Sequence, residues 1–84
     1  MASVLNKQLA EKLHEMAELL EVQGANPFRV RAYRRAAATV GEMDRDLEEI
    51  SRSEGMEGLV SLPTVGKGIA AAVWEMVHTG RWSQ

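Results

Sequence analysis

The chain is 84 residues long, with 45% hydrophobic and 26% charged residues and a net charge of −2, a composition that fits one small globular core and leaves no room for a second. No uncharged apolar run is long enough to span a membrane, and no signal peptide is recognisable, so a cytoplasmic location is expected. The absence of cysteine excludes disulfides, thiolate zinc sites and cysteine nucleophiles, and leaves packing alone to stabilise the fold.

Residues 6–22 read as the first helix, with Asn6 as N-cap and Gly24 as the C-terminal stop. Leu5, Leu9, Leu13, Met16 and Leu20 recur at spacings of three and four and form one apolar stripe. His14 falls on the polar side with no second ligand at metal spacing, which reads as a solvated histidine. The joint Gln23-Gly24-Ala25-Asn26-Pro27 supplies a helix stop, a cap in Asn26 and a proline suited to a first helical position.

The second helix is expected from about 27 to 40, ending at Gly41. Residues 25–41 contain four arginines and no acid, whereas residues 42–57 hold seven carboxylates against two arginines, so the mild net charge conceals a strong segregation. Val30, Tyr33, Ala36, Ala37 and Val40 share a buried face, and Arg31, Arg34 and Arg35 fan out on the opposite one. Arg29 lies one turn before Tyr33 at the helix start. A guanidinium holds phosphate bidentately and a phenol stacks or donates a hydrogen bond, so the pair suits a nucleotide contact; in the alternative, Tyr33 is core with its hydroxyl at the rim.

The acidic stretch has Asp44 as its expected N-cap and Leu47 and Ile50 as its apolar pair, and ends near Gly55. It contains no calcium-binding loop pattern and reads as a solvated helix. A short helix over Met56–Ser61 follows. The last helix runs from about 67 to 79 with Ile69, Ala72, Val73, Met76 and Val77 as its buried stripe and Gly80 as its stop. Trp74 and Trp82 are placed at the core's edge, and His78 outward and isolated. No nucleophile stands beside a base anywhere in the chain.

Between the last two helices lies Leu62-Pro63-Thr64-Val65-Gly66, followed by Lys67-Gly68-Ile69-Ala70-Ala71. Pro63 stops one helix, and the first N–H groups of the next carry no intrahelical partner, so the backbone around Gly66, Lys67 and Gly68 is suited to a phosphate. This is the pattern of a helix-hairpin-helix motif with one departure: Thr64 stands where the first glycine usually is. Threonine tolerates positive φ poorly, so it must either keep an ordinary backbone conformation or carry strain.

Taken together, Asn-Pro-Phe-Arg-Val-Arg-Ala-Tyr-Arg-Arg-Ala-Ala (26–37), Leu-Pro-Thr-Val-Gly-Lys-Gly-Ile-Ala (62–70) and Thr-Gly-Arg (79–81) resemble the N-terminal domain of family X DNA polymerases, the DNA polymerase beta group, the bacterial members most closely. The resemblance covers nearly the whole chain. It implies an all-α, compact bundle of four to five short helices, serving as the DNA-binding first part of a longer repair protein. Its partner would be gapped or nicked DNA with a 5′-phosphate, bound without base readout by a monomer. The DNA-binding set it implies is Arg29, Tyr33, Arg34, Thr64, Gly66, Lys67 and Gly68, with a monovalent cation (sodium or potassium) on the main-chain carbonyls of Val60, Leu62 and Val65.

The beta-type domains also remove deoxyribose phosphate through a Schiff-base lysine. That position here is Ala72, and the lysine one turn earlier is Gly68. The resemblance therefore implies DNA binding without lyase activity, since Lys67 lies about 140° round the helix from Ala72. A competing expectation is a protein-interaction module in which Trp74, Trp82 and the acidic helix dock a partner and the hairpin is vestigial.

Overall fold

The apolar stripes become the buried faces of four helices. The computed structural model of the chain describes residues 4–79, in which α1 (Val4–Val22), α2 (Pro27–Glu42), α3 (Leu47–Val60) and α4 (Lys67–Thr79) follow one another with no strand among the described residues. Leu9, Leu13 and Ala17 of α1 meet Val30, Tyr33, Ala36, Ala37 and Val40 of α2, while Leu5, Met16 and Leu20 pack against that core from its margin. Leu47, Ile50 and Leu59 of α3 and Ile69, Ala70 and Val73 of α4 complete it. The all-α expectation holds, and none of these helices is long and apolar enough to cross a membrane. Trp82 and the Gly80 stop lie outside the described residues.

The first joint closes as its residues dictate. Gly24 takes φ 76°, and the amides of Gly24 and Ala25 donate to the carbonyls of Glu21 (3.1 Å) and Leu20 (2.9 Å), the paired bonds of a Schellman turn. Asn26 then caps α2, its side-chain oxygen accepting from the Phe28 amide at 2.8 Å, with Pro27 in the first turn. The short joint makes α1 and α2 an antiparallel pair.

Three boundaries differ from the sequence reading, each for a tertiary reason. Asn6 does not cap α1. It sits inside the helix, fully buried, where its amide donates to the Arg45 carbonyl at 2.7 Å and its oxygen accepts from the Leu47 amide at 3.0 Å. The segment between α2 and α3 passes over this point, and Asn6 satisfies backbone groups that would otherwise be buried without partners. The cap of α3 is Asp46, not Asp44: its carboxylate accepts from the Glu48 amide at 2.7 Å. Helix α2 continues through Gly41 to Glu42, because that glycine marks close packing: an added Cβ would stand 3.4 Å from Ala10 Cβ.

Helix α3 breaks where its glycine predicts, with Gly55 at φ 68° and ψ −160°. The segment after the break folds tightly on the one before, since an added Cβ at Gly58 would lie 2.6 Å from Glu54 Cβ and 2.9 Å from Ile50 Cγ2. Arg45 spans Glu54 (3.0 Å) and Glu49 (3.3 Å), and these carboxylates, Glu54 foremost, raise its pKa further. In α4, Ala70 is fully buried and Ala72 only half-buried, so the stripe is rotated slightly from the expected one. His78 is exposed but not isolated. Its ring stacks on Trp74 with centroids 4.0 Å apart, and its Nδ1 lies 3.0 Å from the Trp74 carbonyl, because residues four apart share a helix face.

Candidate nucleic-acid interface

The turn joining α3 to α4 is built from its own sequence. Leu62 donates back to the Leu59 carbonyl at 3.2 Å, and the Val65 amide closes onto the Leu62 carbonyl at 3.2 Å, which makes Leu62–Val65 a four-residue turn with Pro63 second and Thr64 third. A proline followed by a residue of positive φ is the signature of a type II turn, and Thr64 has φ 65°. Among the described residues it is the single non-glycine in the left-handed region. Thr64 therefore carries the strain that its side chain predicts. The Thr39 hydroxyl of α2 meets the Thr64 hydroxyl at 2.7 Å, and Val65 anchors the turn in the core.

Gly66 opens α4, its carbonyl accepting from Ala70 at 2.8 Å. Its φ is not positive, and an added Cβ at Gly66 or Gly68 would meet nothing within 4 Å. These glycines provide room, whereas the turn's conformational demand falls on Thr64. The amides of Gly66, Lys67, Gly68 and Ile69 have no hydrogen-bond partner among the described residues, as expected at a helix start.

Across from the turn stands the start of α2. Arg29, Ala32 and Tyr33 form one wall, and Thr64, Gly66, Gly68 and Ile69 the other, of a cleft of about 280 Å³ with no carboxylate among its described lining residues. Arg29 is exposed and makes no ion pair among the described residues. The Tyr33 ring is buried in the core, yet its hydroxyl is neither bonded within the described chain nor sealed from solvent. Tyr33 is therefore core with its hydroxyl at the rim, facing solvent. Five of the seven candidate DNA contacts come together here.

Two stand elsewhere. Lys67 is exposed and makes no ion pair among the described residues, but it lines a separate depression of about 600 Å³ with Met56, Glu57, Val60 and Ser61. Arg34 lies on the α1 side of α2, where it pairs with Glu21 at 2.8 Å beside Arg31. Of the carbonyls assigned to a cation, that of Leu62 accepts the turn's own amide, while no amide outside the regular helices donates to those of Val60 and Val65. No cluster of three acidic, histidine or cysteine side chains suited to a metal occurs among the described residues.

The sequence reading passed over two residues. Phe28, beside Arg29, is 73% exposed, an unusual placement for a large aromatic ring. Its position next to the basic residue of a candidate nucleotide site was the signal available for it. Thr39 gave none, since its partner is 25 residues away.

Comparison with known proteins gives two findings. A family model described as a helix-hairpin-helix domain matches residues 4–82. The chain is also 35% identical over 77 residues to the DNA polymerase/3'-5' exonuclease PolX of Bacillus subtilis (strain 168). That alignment covers 92% of this chain and 12% of the relative, so the chain spans about one eighth of that protein's length.

Proposed function

Because this chain belongs to the helix-hairpin-helix domain family, we propose that it binds the DNA backbone and seats the 5′-phosphate of a gap or nick in the cleft between α2 and the hairpin. The observation that carries this reading is that one cleft, with no carboxylate among its described lining residues, brings together Arg29, Tyr33 with its open hydroxyl, and Gly66, Gly68 and Ile69; Arg29 and the three amides have no partner among the described residues. Each is a donor, and phosphate oxygens are acceptors. Exposed Phe28 offers a surface on which an unpaired base at the gap stacks.

Lys67 serves a second phosphate from the other side of the hairpin, and Arg34, held by Glu21, contributes less than Arg29. The carbonyls of Val60, Leu62 and Val65 suit a monovalent cation, which would add positive charge beside the DNA backbone. No lysine lines the cleft and Ala72 has no amine, so the domain forms no Schiff base and has no deoxyribose-phosphate lyase activity. It acts as a monomeric DNA-binding module of a longer repair protein similar to the PolX polymerases, and the similarity to PolX is what supports that placement.

The test is a titration of three duplexes: one with a 5′-phosphorylated gap, the same gap without the phosphate, and intact duplex. Tightest binding to the phosphorylated gap is expected, with log Kd rising against log salt at a slope of about 2 to 3, as for two or three neutralised phosphates. Arg29→Ala weakens it about tenfold and Arg34→Ala much less. Equal binding to all three would overturn the phosphate reading, and none to any would leave the alternative of a protein-interaction module. Borohydride trapping on an abasic substrate checks the lyase: a covalent adduct would refute its loss.

A further inference from the structure

We infer that Thr39 is a positioning residue for the hairpin, its hydroxyl holding Thr64 in the left-handed conformation on which the phosphate-facing turn depends. The inference rests on the phosphate-binding reading of the cleft and adds to it a residue outside the cleft.

Three described residues have positive φ: Gly24 at 76°, Gly55 at 68° and Thr64 at 65°. The glycines have no Cβ to clash and need no help from distant side chains. Thr64 does, because a β-branched residue in this region is opposed by contacts between its side chain and the neighbouring carbonyl. Something outside the turn must favour the conformation. The Thr39 hydroxyl is the side-chain partner that Thr64 has, at 2.7 Å. That bond also joins the two elements that form the cleft's walls. Thr39 belongs to α2, the helix that carries Arg29 and Tyr33, and Thr64 belongs to the wall that carries Gly66 and Gly68. One hydrogen bond thus selects the turn's backbone well and sets the two walls at a fixed separation. Without it, the turn relaxes toward conformations of negative φ, and the free amides following it lose their alignment with Arg29.

The experiment compares the 84-residue chain with Thr39→Val, Thr39→Ser, Thr64→Gly and the double variant Thr39→Val/Thr64→Gly. Each is titrated with the 5′-phosphorylated gapped duplex, and its Val65–Gly68 amide shifts are recorded by NMR without DNA. Thr39→Val retains shape but not the hydroxyl, and weakens binding about fivefold, the effect of losing one net hydrogen bond. Thr39→Ser restores the hydroxyl and the affinity. Thr64→Gly takes positive φ unaided; since Thr64 itself lines the cleft, this variant serves as its own reference, and adding Thr39→Val to it changes its affinity no further. A purely structural Thr39 would weaken binding equally in either background. The inference is overturned if Thr39→Val leaves affinity and amide shifts unchanged, or if adding Thr39→Val to Thr64→Gly weakens binding by the same factor as it does in the original chain. Should the unmodified chain bind none of the duplexes, the DNA reading fails alone, and the shifts still decide the role of Thr39. Movement of the Val65–Gly68 amides on Thr39→Val that disappears in the Thr64→Gly background supports it, and no movement refutes it.

Discussion

The joint between α1 and α2 and the joint between α3 and α4 both turn through a residue in the left-handed region, Gly24 at φ 76° and Thr64 at φ 65°. The first is closed by bonds between near neighbours: Gly24 and Ala25 donate to carbonyls three and five residues back, and Asn26 caps the helix that follows. The second has a local bond from Val65 to Leu62, but its strained residue is held by a hydroxyl 25 positions away. A joint of the first kind forms with its own helices, whereas one of the second kind acquires its shape from the assembled fold. The difference falls where a ligand is proposed to bind. A turn tied to the helix across the cleft keeps the cleft's walls in register, which a free glycine turn does not do by itself.

The joint between α2 and α3 is the extreme of the second kind, since Asn6 alone bonds two of its backbone groups from a fully buried position. Asn6→Leu keeps the approximate volume but leaves the Leu47 amide and the Arg45 carbonyl without that partner. A loss of about 3 kcal/mol is expected, read as a fall in Tm of more than 10 °C by circular dichroism. A loss under 1 kcal/mol would show that this joint is closed locally after all.

Gly24→Val tests the first joint by imposing what Thr64 endures without giving it a distant partner. Nothing stands within 4 Å of an added Cβ there, so the penalty is conformational rather than steric. Destabilisation of about 1–2 kcal/mol is expected, with DNA affinity unchanged at temperatures where the variant is folded. Thr39→Val removes the tether of the last joint and lowers stability by about 1 kcal/mol, measured by urea unfolding. Here the signature is the opposite pairing, a small stability change accompanied by a clear loss of affinity.

What the sequence disclosed follows the same division. The Asn26-Pro27 cap, the Gly24 stop, the Gly55 break and the hairpin are local patterns that stand where their spacing placed them, as do the helical stripes apart from the slight rotation in α4. Asn6 was misassigned because an asparagine before an apolar run has the same local appearance whether it caps a helix or is buried within one. Its bonds to residues 45 and 47 lie about forty positions away. Arg34 and Lys67 were grouped with Arg29 by the family resemblance, and only the packing of α1 and the path of the hairpin separate them. The strain at Thr64 was legible from its residue type and motif position. Its relief was not, since no periodicity links residues 39 and 64.

The smallest effect expected is the most discriminating. Thr64→Gly makes the last joint resemble the first, and three contributions nearly cancel. Relief of the left-handed strain favours the variant by about 1–2 kcal/mol, the greater freedom of glycine in the unfolded chain opposes it by about 0.5–1 kcal/mol, and loss of the bond to Thr39 opposes it by about 1 kcal/mol. The net change in stability therefore lies between a loss of about 1 kcal/mol and a gain of about 0.5 kcal/mol, a shift of a few degrees in Tm. In the Thr39→Val background the last contribution has already been lost, so the same substitution is more favourable by about 1 kcal/mol and stabilises by up to about 1.5 kcal/mol. That dependence on background is the measurable form of a turn held from outside. If Thr64→Gly has the same effect with Thr39 as without it, the two hydroxyls are neighbours without energetic coupling, and the last joint is as self-sufficient as the first.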